Sequence, residues 1–113
     1  MREEKKQYLS SYLLQESKIN RLNSMIEKNP EKRDLYICYI NESENLRDEI
    51  EEKIKAVDDE LLCEVLYQKY VFGQTLEQIG YILNYSKRHI ERLHQKALEK
   101  FKMWITIYFL LIY

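Results

Sequence analysis

Glycine, proline and cysteine are scarce in this chain of 113 residues, which contains two glycines, one proline and two cysteines. Pro30, Gly73 and Gly80 are therefore the strongest interruptions of the backbone. Sandwiches and barrels need a turn about every 8–12 residues, and this sequence offers too few turn-forming residues for them. The scarcity excludes such β folds and predicts an all-α protein.

The two cysteines, Cys38 and Cys63, lie in apolar helical stretches and lack the paired spacing of a zinc site. We expect reduced thiols that pack in the interior, with no disulfide, no metal ligand and no cofactor. No apolar stretch follows the charged start of the chain, so a secretory signal peptide is not expected and the cytoplasm is the predicted location.

Patterns typical of catalysis are also missing. The sequence has no Gly-rich phosphate loop, and its carboxylates fall on charged helix faces. His89 and His94 are five residues apart, which places them on different faces of a helix, so neither a metal pair nor a catalytic dyad is expected. We predict that both histidines lie at the surface or close to a bound phosphate, and that the protein is not an enzyme.

Charge is unevenly distributed along the chain, although the formal net charge is −1. Residues 1–65 contain 11 Lys/Arg and 16 Asp/Glu, a net charge of −5, whereas residues 66–113 contain 7 Lys/Arg and 3 Asp/Glu, a net charge of +4. This asymmetry is typical of a protein in which one part meets a polyanion and the other meets protein or solvent.

The acidic front half predicts an antiparallel helical hairpin over residues 1–57. Apolar residues recur at spacings of three and four before and after Asn29-Pro30, where the proline ends the first helix. Each predicted helix is about 26 residues long. The apolar face of the second helix comprises Leu35, Tyr36, Tyr39, Ile40, Leu46, Ile50, Ile54 and Val57, with Lys53 and its charged neighbours on the solvated side. Either the two helices cover each other, or this face binds a partner or a second copy.

Local signals predict three further helices in a domain over residues 58–102. Gly73 can end the first of these helices, and Thr75 with Gln78 forms a capping box that opens the helix 76–83. Asn84 tolerates the positive φ of a tight turn, and Ser86 caps the helix 87–102. Two helices joined by a three-residue turn indicate a helix-turn-helix.

The outward face of the helix 87–102 is rich in basic and amide side chains, which match the edges of guanine and adenine in the major groove of DNA. The usual alternative for such a face is solvation without a ligand. We predict that the protein binds duplex DNA through Lys87, Arg88, Glu91, Arg92, Gln95 and Lys96.

The segment 58–101 resembles region 4 of the sigma-70 factor family, chiefly in residues 65–70, 75–80 and 86–92. It is also similar to small phage regulators of Gram-positive bacteria. The resemblance implies contact with RNA polymerase, phosphate contacts at Thr75, Gln78 and Ser86, and base contacts at Lys87, Arg88, Glu91 and Arg92. Sigma factors usually have an acidic residue at the position of Arg88 and a basic one at that of Glu91, so the target sequence differs. Nothing in residues 1–57 resembles a promoter-melting module, so the chain is not a complete sigma factor.

The final segment, 103–113, is apolar at ten of its eleven positions but is too short to span a membrane. We expect it to continue the preceding helix and to pack on the front hairpin or on a second subunit, with a weak interfacial membrane contact as the alternative.

These observations predict a transcriptional regulator encoded by a phage or prophage. Its expected partners are duplex DNA, RNA polymerase and a second copy bound through the N-terminal hairpin or the C-terminal tail, with no membrane partner. The alternative is a non-catalytic interaction protein, such as a small terminase-like packaging subunit that oligomerises through its hairpin. A steep salt dependence of binding to random duplex DNA distinguishes the first hypothesis from the second.

Overall fold

The computed structural model describes residues 2–103, and the regular elements in this range are all helical. The all-α prediction is therefore confirmed for the described residues. The elements in chain order are α1 (Arg2–Lys28), a 3₁₀ turn (Pro30–Lys32), α2 (Arg33–Lys55), α3 (Glu60–Leu66), a π-helical turn (Tyr67–Val71), α4 (Leu76–Leu83) and α5 (Lys87–Lys100).

The two long helices, α1 and α2, pack side by side and run antiparallel. Proline at position 30 cannot continue α1, and the chain reverses through the 3₁₀ turn. Polar contacts fix the register between the helices, since Arg47 donates to Glu16 over 2.8 Å and the hydroxyl of Tyr12 donates to Glu51 over 2.7 Å. The numbers of the paired residues rise along α1 and fall along α2, as antiparallel packing requires.

One apolar core joins the long helices to the three shorter ones. It contains Leu9 and Tyr12 of α1 together with Ile50 and Ile54 of α2, and it continues through α3, α4 and α5 to Phe101. A smaller cluster near the turn between α1 and α2 comprises Ile19, Leu22, Tyr36 and Ile40. The larger core thus crosses the predicted boundary between the hairpin, 1–57, and the domain 58–102. This shared core sets the position of α5.

The predicted apolar face of α2 is only partly covered. Tyr36, Ile40, Ile50 and Ile54 are buried as expected, but the side chains of Leu35, Tyr39 and Leu46 are exposed. The face is wider than the single helix α1 can cover, so its outer row remains in contact with solvent within the described residues.

Two predictions about single side chains of α2 are wrong. The sequence predicts Lys53 on the solvated side of α2, but this residue is buried, because its ammonium group donates to the hydroxyl of Tyr8 over 2.9 Å and lies 3.7 Å from the carboxylate of Glu49. The sequence predicts Cys38 in the interior, but it is exposed, whereas Cys63 is half-buried and its thiol contacts the carbonyl of Val57.

The helix α5 ends at Lys100, two residues earlier than predicted. Phe101 adopts an extended conformation, with φ −68° and ψ 128°, and its side chain is fully buried in the core beside Tyr8. The expectation that the apolar tail continues this helix without a break is therefore wrong. The packing predicted for the remainder of the tail, 104–113, lies outside the described residues.

Candidate nucleic-acid interface

The predicted capping box forms at the N-terminus of α4. The hydroxyl of Thr75 accepts a hydrogen bond from the backbone N–H of Gln78 over 3.1 Å, and the backbone N–H of Thr75 donates to the side chain of Gln78 over 2.8 Å. These two bonds satisfy donors that a helix start otherwise leaves without partners. Both side chains are thereby fixed at the first turn of α4, and both remain exposed.

The connection between α4 and α5 is as tight as the sequence predicts. Asn84 ends α4 with φ 65° and ψ 43°, and the backbone N–H of Tyr85 bonds to the carbonyl of Gly80. A Cβ atom at position 80 would lie 2.7 Å from the carbonyl oxygen of Tyr85, so the close approach requires glycine. Ser86 then caps α5 by accepting from the backbone N–H of His89. The turn therefore fixes the direction in which α5 leaves α4.

The two faces of α5 differ sharply in composition. The inner face carries Ile90, Leu93, Ala97 and Leu98, which are buried in the core. The outer face carries all six predicted DNA-binding residues of this helix, each of them exposed: Lys87, Arg88, Glu91, Arg92, Gln95 and Lys96. Helical spacing places Arg88, Arg92 and Gln95 along the middle of the outer face.

A shallow, open depression lies where the turn meets the first part of α5. Its walls include Ser86, Arg88 and Arg92, and the rings of Tyr85 and His89 stand at its edge with their centroids 4.7 Å apart. The structure thus brings three predicted site residues together around one concave surface. Thr75 and Gln78 do not line this depression and lie at the start of α4.

Among the described residues, the basic groups of this face have no ion-pair partners. Within residues 2–103, no carboxylate lies within 4.0 Å of the charged nitrogens of Lys87, Arg88, Arg92 or Lys96. The start of α5 adds the partial positive charge of a helix N-terminus. The surface therefore presents cations whose charge is available to a polyanion.

Sequence reasoning missed Arg2 and Lys5, which lie at the far end of this face. The guanidinium of Arg2 lies 3.0 Å from the carboxylate of Glu99 and 3.5 Å from the side-chain oxygen of Gln95. The ammonium of Lys5 donates to the carbonyl of Leu98 over 2.7 Å, where the end of a helix favours a cation. No local signal points to these contacts, because more than 90 residues separate the partners in sequence.

His94 does not lie at the surface, which corrects the prediction for it. It faces the interior, and its ring nitrogen Nε2 forms a hydrogen bond of 2.7 Å with the hydroxyl of Tyr70. Burial lowers the pKa of His94 to about 4, and the nearby ammonium groups of Lys69 and Lys6 act on this pKa in the same direction. His89 is half-buried, so it is only partly at the surface, and its ring lies beside that of Tyr85 at an angle of 49°.

In the described part of the chain, no group of three or more His, Cys, Asp and Glu side chains is arranged to hold a metal ion. Among the helices between residues 2 and 103, none is both long enough and apolar enough to cross a bilayer. Comparison with known proteins finds no matching family model, no matching curated protein and no matching solved structure.

Proposed function

We propose that this chain is a cytoplasmic transcriptional regulator of phage or prophage origin that binds duplex DNA. In this proposal α4 and α5 form a helix-turn-helix of the sigma-70 region 4 type, and α1 with α2 forms a hairpin that holds it. The outer face of α5 enters the major groove. RNA polymerase is a further proposed partner, as the resemblance implies.

The observation that carries the proposal is a set of cations on one exposed helix face that have no ion-pair partner among residues 2–103. Arg88 and Arg92 are one helical turn apart and flank a concave surface, and Lys87 and Lys96 extend the positive charge along α5. Arginine donates bidentate hydrogen bonds to guanine, and lysine meets phosphates as a point charge. Thr75 caps the start of α4 and Ser86 caps the start of α5, and both residues are exposed. Their positions support phosphate contacts on either side of the groove.

Salt titration of binding to random duplex DNA tests this proposal. A basic surface that neutralises phosphates releases counterions, so the logarithm of the binding constant falls steeply and linearly with the logarithm of the salt concentration. We expect Lys96→Ala, which removes a proposed phosphate contact, to reduce the slope by about one. Lys28→Ala, at the end of α1 and away from α5, is the matched control and keeps the slope. Binding that does not respond to salt contradicts the proposal.

A second candidate function is that of an interaction protein or a small terminase-like packaging subunit. The observation that favours it is the outer apolar row of α2, which no described residue covers. This candidate predicts assembly without salt-dependent affinity for random DNA, so the same titration separates the two functions.

A further inference from the structure

A groove runs along one side of the α1 and α2 pair, away from the surface of α5. Its buried floor includes Gln15, Leu22 and Ser43, and its edges include Met25 on α1 and Leu46 on α2. Nothing within residues 2–103 fills it. The groove plays no part in the proposed DNA contact.

Both edges of the groove carry large apolar side chains that face solvent. On α2, Leu35, Tyr39 and Leu46 share one row at spacings of four and seven, and they are 43–49% exposed. On α1, Leu14 lies in the same row as Met25 and is 54% exposed. Contiguous apolar surface of this kind marks a site of protein contact.

The floor of the groove contains a polar atom without a partner. Gln15 is buried, and its side-chain oxygen Oε1 has no hydrogen bond within the described residues. A buried carbonyl without a donor costs free energy, so native proteins rarely leave one in that state. A partner that brings an amide N–H to this position satisfies it.

The charges on the edges show which partner fits. Arg21 lies on the α1 edge and Glu42 on the α2 edge, and neither has an ion-pair partner within 4.0 Å among residues 2–103. The register set by Arg47 with Glu16 places them level with each other, since both are five residues farther toward the turn between the helices. One edge is therefore cationic and the other anionic at the same level, which is a self-complementary pattern.

We propose that a second copy of this chain docks on the groove and forms a two-fold symmetric four-helix bundle. The two-fold axis runs parallel to the helices, so α1 of each copy lies on α2 of the other and Arg21 meets Glu42 of the second copy twice. The alternative two-fold axis, perpendicular to the helices, stacks α1 on α1. It sets Lys18 and Arg21 of one copy against Lys18 and Arg21 of the other, and these like charges repel one another.

The parallel axis also satisfies Gln15. Residues on the groove floor lie nearest the axis, so Gln15 meets Gln15 of the second copy at the same level. A side-chain amide carries both a donor and an acceptor, so two such groups related by a two-fold axis pair reciprocally. Buried amide pairs of this type fix the register and the number of helices in coiled coils. The arrangement places both copies of α5 toward the same end of the bundle.

Sedimentation equilibrium of charge-reversed full-length chains tests the proposed dimer. We expect the wild-type chain to sediment at twice its mass of 13.9 kDa. Arg21→Glu and Glu42→Arg each set like charges against each other, so each weakens dimerisation by at least about tenfold. The double variant restores opposite charges and returns to within about threefold of the wild type. The control is Glu27→Arg, which lies on the opposite face of α1 and leaves the dimer unchanged.

A monomeric wild-type chain overturns the proposal. A dimer that neither single charge reversal weakens also overturns it, because the interface then lies elsewhere, for example in residues 104–113. A double variant that stays weak overturns the parallel axis. Unchanged helix content by circular dichroism shows that the variants fold. Dimerisation does not rest on DNA binding, and monomers of Arg21→Glu retain α5, so their affinity for random duplex DNA tests the proposed function separately.

Cysteine cross-linking tests the meeting of the two glutamines. In a Cys38→Ser background, Gln15→Cys places one thiol of each copy beside the axis, and a short bismaleimide cross-linker, which spans the distance between diagonal helices, is expected to link the copies covalently. Glu27→Cys in the same background holds its thiols apart and yields no covalent dimer. Absence of the link in Gln15→Cys chains that still dimerise overturns the parallel arrangement.

Discussion

The hydroxyl of Tyr70 lies 2.7 Å from Nε2 of His94, in the interior between the π-helical turn and α5. Both side chains are buried, and their rings are tilted with centroids 5.6 Å apart. Burial raises the pKa of Tyr70 to about 12 and lowers that of His94 to about 4, so both groups are neutral over a wide range of pH. The pair joins α5 to the core through one neutral hydrogen bond.

This pair predicts that mild acid destabilises the fold. The unfolded chain binds a proton at His94 near pH 6.5, whereas the folded chain does so only near pH 4. Stability is therefore fully present above about pH 6.5 and falls as the pH decreases toward 4. Each unit of difference between the two pKa values corresponds to 1.36 kcal/mol, so the free energy of unfolding falls by about 3 kcal/mol in total.

Urea unfolding at several pH values measures this effect. The difference in unfolding free energy between the wild type and His94→Leu should shrink as the pH falls from 6.5 to 4, because the variant cannot bind the proton. His89→Leu is the matched control, since it removes the other histidine of α5. A difference that does not vary with pH in this window would falsify the lowered pKa of His94.

The proposed base readout by α5 predicts different losses for different side chains. Arg88→Ala and Arg92→Ala should each lose about 1–3 kcal/mol of discrimination at particular base pairs, because bidentate contacts read individual bases. Lys96→Ala should weaken binding to every sequence alike, because a phosphate contact carries no sequence information. Selection of binding sites from a random DNA library measures both effects. Uniform losses from all three variants mean that α5 does not read bases.

The close approach at Gly80 predicts that an added methyl group disturbs the turn. A Cβ atom on this residue would meet the backbone carbonyl of Tyr85 at 2.7 Å, and that carbonyl cannot move without shifting the start of α5. Gly80→Ala should destabilise the fold by about 1–3 kcal/mol and weaken DNA binding by more than the unfolded fraction explains.

Gly73→Ala provides a comparison for that variant. Gly73 has φ +71°, so alanine there costs about 1–2 kcal/mol, but its nearest contact is the flexible side chain of Leu13 at 3.4 Å. We expect Gly73→Ala to lower the melting temperature while the folded fraction keeps its affinity for DNA. Equal affinities of folded Gly80→Ala and folded Gly73→Ala chains rule out a role of the turn in aiming α5.

The buried ammonium of Lys53 predicts an asymmetric response to substitution. Removal of Glu49 leaves this charge without its ion-pair partner, so Glu49→Ala should cost about 1–3 kcal/mol of stability. Lys53→Met keeps the volume of the side chain and removes the charge, so it should cost less. The double variant should recover most of the loss. Chemical denaturation of the three chains measures the effect, and equal costs for the two single variants argue against a buried charge.

The local features of the candidate site follow from sequence because they depend on neighbouring residues. The capping box of Thr75 and Gln78, the positive φ of Asn84 and the cap at Ser86 each involve residues within four positions, and all three predictions are confirmed. The amphipathic pattern likewise identifies the inner face of α5.

Features formed between distant elements could not be predicted in this way. Helical periodicity tells which residues lie on one face but not which partner covers that face. His94 falls on the inner side of α5, yet only the position of the π-helical turn brings Tyr70 to it. Lys53 is buried because Tyr8, 45 residues away, provides an acceptor and an aromatic ring. The contacts of Arg2 with Gln95 and Glu99 depend in the same way on the docking of α1 against α5.

The hydrogen bond between Lys5 and the carbonyl of Leu98 joins two residues that are 93 positions apart in sequence. Helical domains generally fold quickly because their contacts are local, and long-range closure slows the search. Leu9 and Tyr12 pack on α2 and also share a core with Leu98 and Phe101, so their native surroundings are complete only after α5 has been synthesised. We therefore expect the docking of α1 on α5 to be a late step in folding, after α1 and α2 have paired.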